Sequence, residues 1–364
     1  MLKLDSVIEG EEFILLQELV TAAKSKLTKA TWDYLIGGAE TETTFKRNRL
    51  ALDSLAFRPR VLRDVEEIDL CVSFLGANLR LPVVLAPIGS MQDLVIGGGI
   101  VPTRAAARFG NLHMISSTSA PGLEETARAV SYPKIFQLYV RGDENWVDDH
   151  IKRAIDEGYI AFCFTIDLDA YGRRERDLAK RYRTTSRRKA RDPEYQMRFS
   201  WDDIKRIRDK FDIPLILKGI ATPEDAELAI DHKIEVIYVS NHGGRQLDHG
   251  FGGAEVLPEI VDVAKGNAKI MFDGGIMRGT DIVKAIALGA DVVGIGRLQG
   301  LAAAAGGENG IVRMLELLEV EVEICLRLLG VNKLIDLDRS FLGPCSSLTK
   351  PSVLSAFPLL DEGY

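Results

Sequence analysis

The chain has 364 residues, 46% of them apolar and 27% charged, with a formal net charge of −7. That is ample chain for a large core, and the acidic balance argues against a general affinity for nucleic acid or an anionic membrane. The four cysteines (Cys71, Cys163, Cys325 and Cys345) show no Cys-x-x-Cys spacing, so reduced thiols, no metal and a cytoplasmic protein are expected. Met1 to Gly10 carries acids and no apolar stretch of the secretory kind, and no apolar run is long enough to span a bilayer.

In chain order, residues 1–81 read as a mostly helical lead-in. Phe13, Leu16, Leu19 and Val20 form a helical stripe over Glu11 to Lys24. A second helix covers Lys29 to Leu35 and stops at Gly37-Gly38, a third runs from Glu42 to Leu52, and an irregular stretch follows. From Pro82 a pattern repeats. Short apolar runs lie at Val83–Ala86, Leu112–Ile115, Ile135–Val140, Ile160–Ile166, Leu215–Leu217, Val236–Val239, Ile270–Phe272 and Val292–Ile295. Helical segments sit between them, among them Gly122–Val130, Asn145–Glu157, Asp202–Lys210, Pro223–His232 and Thr280–Leu288. Thr222-Pro223-Glu224-Asp225 is a start signal: an N-cap, proline in the first turn, then acids. Continuous apolar strands with crossover helices imply a parallel sheet buried on both faces. Eight of them predict a closed (β/α)8 barrel of the TIM type over residues 82–308, inside one domain spanning 1–364. Residues 309–364 should form a C-terminal helix, Gly310 to Leu329, and a tail from Leu342, either on the surface or wrapped around a neighbouring subunit.

Polar residues gather where these strands end, at the edge where barrel active sites lie. The fullest such stretch is Ser240-Asn241-His242-Gly243-Gly244-Arg245-Gln246-Leu247-Asp248. A neutral imidazole takes a proton near neutral pH, and a guanidinium grips a carboxylate through two parallel hydrogen bonds. By itself the stretch also fits a plain strand-end turn. The long connection Arg176 to Ser200 holds Lys180, Arg181, Arg183, Arg187, Arg188, Lys189 and Arg191. It reads either as a solvated lid or as a lid that attracts an anionic substrate. His113 and Cys163 lie in buried-looking strands and read as core, and His249 as surface.

The stretch around His242 resembles the active-site signature of the FMN-dependent α-hydroxy acid oxidases and dehydrogenases. The resemblance covers nearly the whole chain, through Asp33-Tyr34, Gly38-Ala39-Glu40, Phe57-Arg58-Pro59-Arg60, Gln137-Leu138-Tyr139, Thr165-Ile166-Asp167, Gly172-Arg173-Arg174-Glu175, Leu217-Lys218-Gly219, Asp273-Gly274-Gly275 and Gly294-Ile295-Gly296-Arg297. It implies oxidation of an (S)-2-hydroxy acid to a 2-oxo acid. His242 is the implied base and flavin N5 the hydride acceptor, with O2 or a soluble acceptor reoxidising the flavin. Asp167 should stabilise the imidazolium. Arg174 and Arg245 should clamp the substrate carboxylate, with hydrogen bonds from Tyr34 and Tyr139, while Arg173 is structural. Lys218 should sit by the flavin N1 edge, where negative charge develops. Pro87, Ile88 and Gly89 match the flavin-side stretch, and Ser116, Gln137, Thr165 and Ser240 match positions that hydrogen-bond the ring. Asp273 should hold the ribityl chain. Gly274, Gly275, Gly296 and Arg297 should bind the phosphate.

The departures from the family pattern carry information. Ala86-Pro87-Ile88-Gly89 is similar to the lactate monooxygenase branch rather than to glycolate oxidase, and the glycine changes the room for oxygen beside N5. A monooxygenase-like oxidative decarboxylation is therefore a second expectation, and an FMN-binding protein acting on a substrate other than a hydroxy acid is a third. Thr118 in place of tryptophan implies a roomier substrate pocket. Met277 stands where an arginine is common, leaving the phosphate to Arg297, backbone N–H groups and Arg278. No membrane-binding insert or haem domain is recognisable, and the family norm is a homotetramer.

Overall fold

A computed structural model describes residues 12–189 and 195–363, without the side chains of Lys189 and Tyr195. The readings of Met1 to Gly10, of Arg191 and of the Lys189 side chain lie outside the described residues.

Three helices open the chain: α1 (Leu16–Lys26), α2 (Lys29–Ile36) and α3 (Thr43–Asp53). The first begins later than its apolar stripe suggested. The Glu18 carboxylate accepts the N–H groups of Ile14 and Leu15, at 2.6 and 2.9 Å, and so fixes the start. Strand β1 (Leu55–Phe57) and the hairpin β2 (Val72–Phe74) and β3 (Ala77–Leu79) follow, all too short to show periodicity in the sequence.

Eight parallel strands then close a barrel: β4 (Val83–Leu85), β5 (Leu112–Ser116), β6 (Ile135–Leu138), β7 (Ala161–Thr165), β8 (Leu215–Ile220), β9 (Val236–Val239), β10 (Lys269–Phe272) and β11 (Val292–Ile295). Each pairs with its successor, and β11 closes on β4 with Val293 opposite Val83. Successive residues point to opposite faces. In β9, Val236 and Tyr238 turn into the barrel, while Ile237 and Val239 meet the helical layer. Phe74 and Leu79 of the hairpin join the inner cluster. Each is about 1% exposed, so each contributes roughly 1.5–3 kcal/mol of burial.

The helices after the first barrel strand are α4 (Ile100–Phe109), α5 (Leu123–Ala129), α6 (Glu144–Asp156), α7 (Glu175–Ala179), α8 (Thr185–Lys189), α9 (Trp201–Lys210), α10 (Pro223–Asp231), α11 (Gly253–Ala264), α12 (Gly279–Ala287) and α13 (Arg297–Leu329), of which the short α7 and α8 belong to the connection between β7 and β8. The Thr222 side chain accepts from the Asp225 N–H, as an N-cap should. Helix α13 starts well before Gly310, directly after β11. Its first part breaks from helical geometry at Gly306-Gly307, and a run of alanines hides its period. The tail also departs from expectation. Its first residues form β12 (Leu342–Pro344), antiparallel to β1, and Phe357 is buried in the core. His113 is buried, with Nδ1 at 2.8 Å from Thr103 Oγ1, and Cys163 is core.

Candidate active site

Strand β9 ends at Val239, and the next five residues turn back over the barrel mouth. His242, Gly243 and Gly244 all have left-handed backbone, with φ of 58°, 62° and 71°. A Cβ on Gly244 would lie 2.5 Å from the Phe45 backbone, and one on Gly243 2.6 Å from the Arg297 guanidinium. Backbone contact excludes any side chain at Gly244, while at Gly243 a side chain would also have to displace the Arg297 guanidinium. The rest of the motif braces this turn. Gln246 donates to the carbonyls of Asp167 and Ala170, at 3.0 and 2.8 Å. The Asp248 carboxylate accepts from the N–H groups of Thr41 and Thr44, at 3.0 and 2.8 Å. Asn241 and Asn48 exchange two amide hydrogen bonds.

The turn brings His242 Nδ1 to 2.9 Å from Asp167 Oδ1, leaving Nε2 3.5 Å from the Tyr139 hydroxyl. Gly219 makes room for this pair: strand β8 bulges there, at φ 124°, and a Cβ would strike the Asp167 side chain at 2.8 Å. Burial works to raise the Asp167 carboxyl, but His242 and Lys218 outweigh it and hold the group below its ordinary value. Burial lowers the His242 imidazole; Asp167 opposes this and Lys218 adds to it, so the ring titrates below its ordinary value. The pair therefore rests as a neutral imidazole beside a carboxylate, the state a general base requires.

Tyr34, Tyr139, Arg174, Arg245 and His242 line one cavity of about 550 Å³. Arg245 is fixed by donating to the carbonyls of Tyr34 and Gly37, at 2.7 and 2.9 Å. Arg174 lies 4.2 Å from the Tyr171 ring centroid and donates to the Tyr171 hydroxyl. Its buried Nε finds no partner among the described residues. Burial and the neighbouring Arg245 both lower the Arg174 pKa. Two guanidiniums held together in a partly dry cavity are stabilised by an anion between them. Burial also raises the Tyr34 and Tyr139 phenols, so both remain hydrogen-bond donors.

Lys218 Nζ donates to Ser240 Oγ at 2.8 Å and lies 3.5 Å from Asp273, and Ser240 Oγ donates to Asp273 at 2.6 Å. Burial opposes the ammonium, but Asp273 and Asp167 outweigh it and keep it charged. Lys218, Asp273, Gly274, Gly275, Gly296 and Arg297 continue the cavity along the strand ends, and Pro87, Ile88 and Gly89 form an adjoining wall. Ser116, Gln137, Thr165 and Ser240 are each about 1% exposed or less and lie behind the residues that line the cavity rather than on the lining itself. Both polar atoms of the Gln137 side chain and Thr165 Oγ1 are buried without a partner among the described residues, as is Arg297 Nε. Unpaired buried polar groups are costly, which favours a polar ligand in the cavity that Arg297 lines. A flat heteroaromatic ring with a phosphate tail, as in FMN, suits that donor and acceptor set.

Arg278 departs from its expected place. Its guanidinium pairs with Glu321 at 2.7 Å and lies outside the cavity lining, because Glu321 on α13 also accepts the Gly279 N–H. Arg173 is exposed, 3.6 Å from Glu175, and His249 is exposed beside Asp248. The basic connection divides by role. Arg176 makes two bonds to Glu42, at 2.7 and 2.8 Å, and Lys180 pairs with Asp33, whereas Arg183 and Arg187 line the cavity. Arg141 and Tyr171 also line it and were not singled out in the sequence. Arg141 lies two residues past Tyr139, so reading each strand end slightly further would have found it.

A family profile described as FMN-dependent dehydrogenase matches residues 23–344. An L-lactate oxidase of Nostoc sp. is 37% identical over 349 residues, covering 88% of this chain and 95% of that protein. Glycolate oxidase 1 of Oryza sativa subsp. indica is 36% identical over 345 residues, 89% of this chain and 94% of that protein. A crystal structure of mandelate oxidase with (S)-2-phenylpropionate superposes with a TM-score of 0.85 at 35% identity, covering 93% of this chain and all of the other.

Proposed function

The chain belongs to the FMN-dependent dehydrogenase family, and from that membership we propose that it oxidises an (S)-2-hydroxy acid to the 2-oxo acid. The observation that carries this reading is the His242–Asp167 pair facing two guanidiniums in one cavity. Arg174 and Arg245 bind the substrate carboxylate and fix the hydroxyl near His242. His242 Nε2 takes the hydroxyl proton, and Asp167 stabilises the imidazolium that forms. Tyr139 and Tyr34 donate hydrogen bonds to the substrate oxygens. FMN, when bound, supplies the acceptor for the two electrons that leave the α-carbon. Gln137, Thr165, Ser116 and Ser240 would hold its ring, Lys218 would stabilise the negative charge that reduction brings, Asp273 would take the ribityl chain, and Gly274, Gly275, Gly296 and Arg297 would take the phosphate. O2 or a soluble acceptor would take those electrons in turn. No helix among the described residues is long and apolar enough to cross a membrane. A cytoplasmic homotetramer is the assembly that the family resemblance supports.

Gly89 favours a second reading, in which the oxo acid decarboxylates before release. A Cβ at Gly89 would fall 2.5 Å from Thr118 Oγ1, so an alanine here would press on Thr118, and the glycine keeps this part of the wall thin.

The test is anaerobic. The yellow protein is mixed with a panel of (S)-2-hydroxy acids from pH 5 to 9, and flavin absorbance is followed. Bleaching is expected. Its rate should rise with pH through a midpoint below that of an ordinary histidine, because the base is the neutral imidazole and burial lowers its pKa. Peroxide or carbon dioxide after admitting air separates simple oxidation from decarboxylation. A flavin that no hydroxy acid bleaches would overturn the reading in favour of a different substrate. Lys218→Met should weaken FMN retention and slow bleaching together, by roughly 100-fold for the loss of one electrostatic stabiliser; normal retention and rate would break the assignment of Lys218.

A further inference from the structure

The cavity holds more positive charge than one carboxylate and one phosphate require. Arg174 and Arg245 suffice for the carboxylate, and Arg297 belongs with the phosphate turn. Lys218 is matched by Asp273, and Arg49 by Asp53 and Asp281. That leaves Arg141, Arg183 and Arg187 on the lining, against Asp169, an exposed carboxylate at the rim.

Arg141 is the informative one. It is partly buried, yet makes no hydrogen bond or ion pair with any described residue. Its recorded contact is with the Tyr139 ring, whose centroid is 6.0 Å from the guanidinium carbon. Burial lowers its pKa, as befits a cation drawn from water without a counter-charge. Tyr139 is the same residue whose hydroxyl is 3.5 Å from His242 Nε2. One aromatic ring therefore separates Arg141 from the base. Arg187 lines the same cavity, 3.7 Å from the Tyr171 ring centroid, with Tyr171 held in turn by Arg174. The Asp177 carboxyl feels Arg245, Arg174 and Arg187 together, so it is shared among three cations.

We propose that Arg141 is a specificity-determining residue that binds a second, distal carboxylate, so that the preferred substrates are 2-hydroxy dicarboxylates with a short carbon chain between the two acids. This deepens the proposed oxidation and rests on it. The first carboxylate occupies the Arg174–Arg245 clamp, the hydroxyl faces His242, and the chain passes Tyr139 to reach the guanidinium. A planar guanidinium meets a carboxylate with two parallel bonds, and Arg187 adds longer-range attraction.

The experiment compares (S)-2-hydroxyglutarate with its distal amide, a neutral analogue of nearly the same shape, on the FMN-loaded protein. Two quantities are read: the second-order rate of anaerobic bleaching, and the affinity of the corresponding 2-oxo acids from their perturbation of the flavin spectrum. The wild type should favour the dicarboxylate on the order of tenfold or more in both, the scale of one charge-assisted hydrogen bond. Arg141→Met should bring both ratios close to one, and Arg141→Lys should restore part of the preference by keeping the charge. A general packing defect would instead change both ligands alike and leave the ratio. Equal treatment of acid and amide by the wild type, or a preference that survives Arg141→Met, overturns the assignment. If no hydroxy acid bleaches the flavin, the proposed oxidation fails, while the binding ratio of the oxo acids still decides the role of Arg141.

Discussion

His242→Ala is expected to keep its bound FMN and to bleach with hydroxy acid roughly 10²–10⁴ times more slowly than the parent, the range for a lost acid–base group. The separation of the two effects follows from the geometry. The His242 side chain bonds Asp167 and faces Tyr139, whereas the Lys218–Ser240–Asp273 network beside the cofactor surface is built from other groups. The hydrogen bond that joins them comes from the His242 backbone N–H, which donates to Ser240 Oγ at 3.0 Å and survives the substitution, as does the charge interaction between Asp167 and Lys218. The variant leaves Asp167 buried without its hydrogen-bond partner, so some stability is lost as well. Stopped-flow absorbance checks the rate and the visible flavin band checks retention. An unchanged rate would remove His242 from its role.

Arg49→Met is expected to lower stability by about 3–5 kcal/mol, the cost of stranding one partner of a buried pair. Arg49 bridges α3 to α12 with two bonds to Asp281, both 2.7 Å, and both side chains are almost wholly buried. Asp281 is ionised: burial works to raise its carboxyl, and Arg49 more than reverses that. Two backbone N–H groups, from Met277 and Arg278, would remain on the carboxylate after the substitution, at 3.0 and 2.9 Å. They soften the loss without replacing the charge. Arg49 also donates to the Gly275 carbonyl at 2.8 Å, in the turn assigned to the phosphate. FMN affinity should therefore fall with stability. Thermal unfolding of the FMN-loaded protein reads the first effect and a dilution series reads the second. Adding Asp281→Asn should recover part of the stability, since it removes the stranded charge. A melting temperature equal to the parent's would show that the pair contributes nothing net.

The site was legible in the sequence wherever a residue type is tied to a strand end. Lys218 and Asp273 follow apolar runs directly and His242 comes three residues after one, so strand periodicity alone places them at one rim. Gln246 and Asp248 were legible as motif but not as function, because their hydrogen bonds to Asp167, Ala170, Thr41 and Thr44 reach segments far away in sequence. Arg278 shows the opposite failure. It follows Asp273-Gly274-Gly275 closely enough to suit a phosphate, but a carboxylate on α13 takes it first.

The sequence by itself determined the eight strands, the crossover helices and the His242 turn, because alternation, helical spacing and left-handed glycines are local properties of the chain. Only the tertiary structure decided which charges are spent and which are left over. Arg49, Arg176 and Arg278 meet carboxylates from distant segments, while Arg141 meets none among the described residues. Closing the barrel sets those distances, and no local pattern records them. The pairing of β1 with β12 has the same cause, since two three-residue strands have no period to read and form only once the barrel has brought the ends of the chain together.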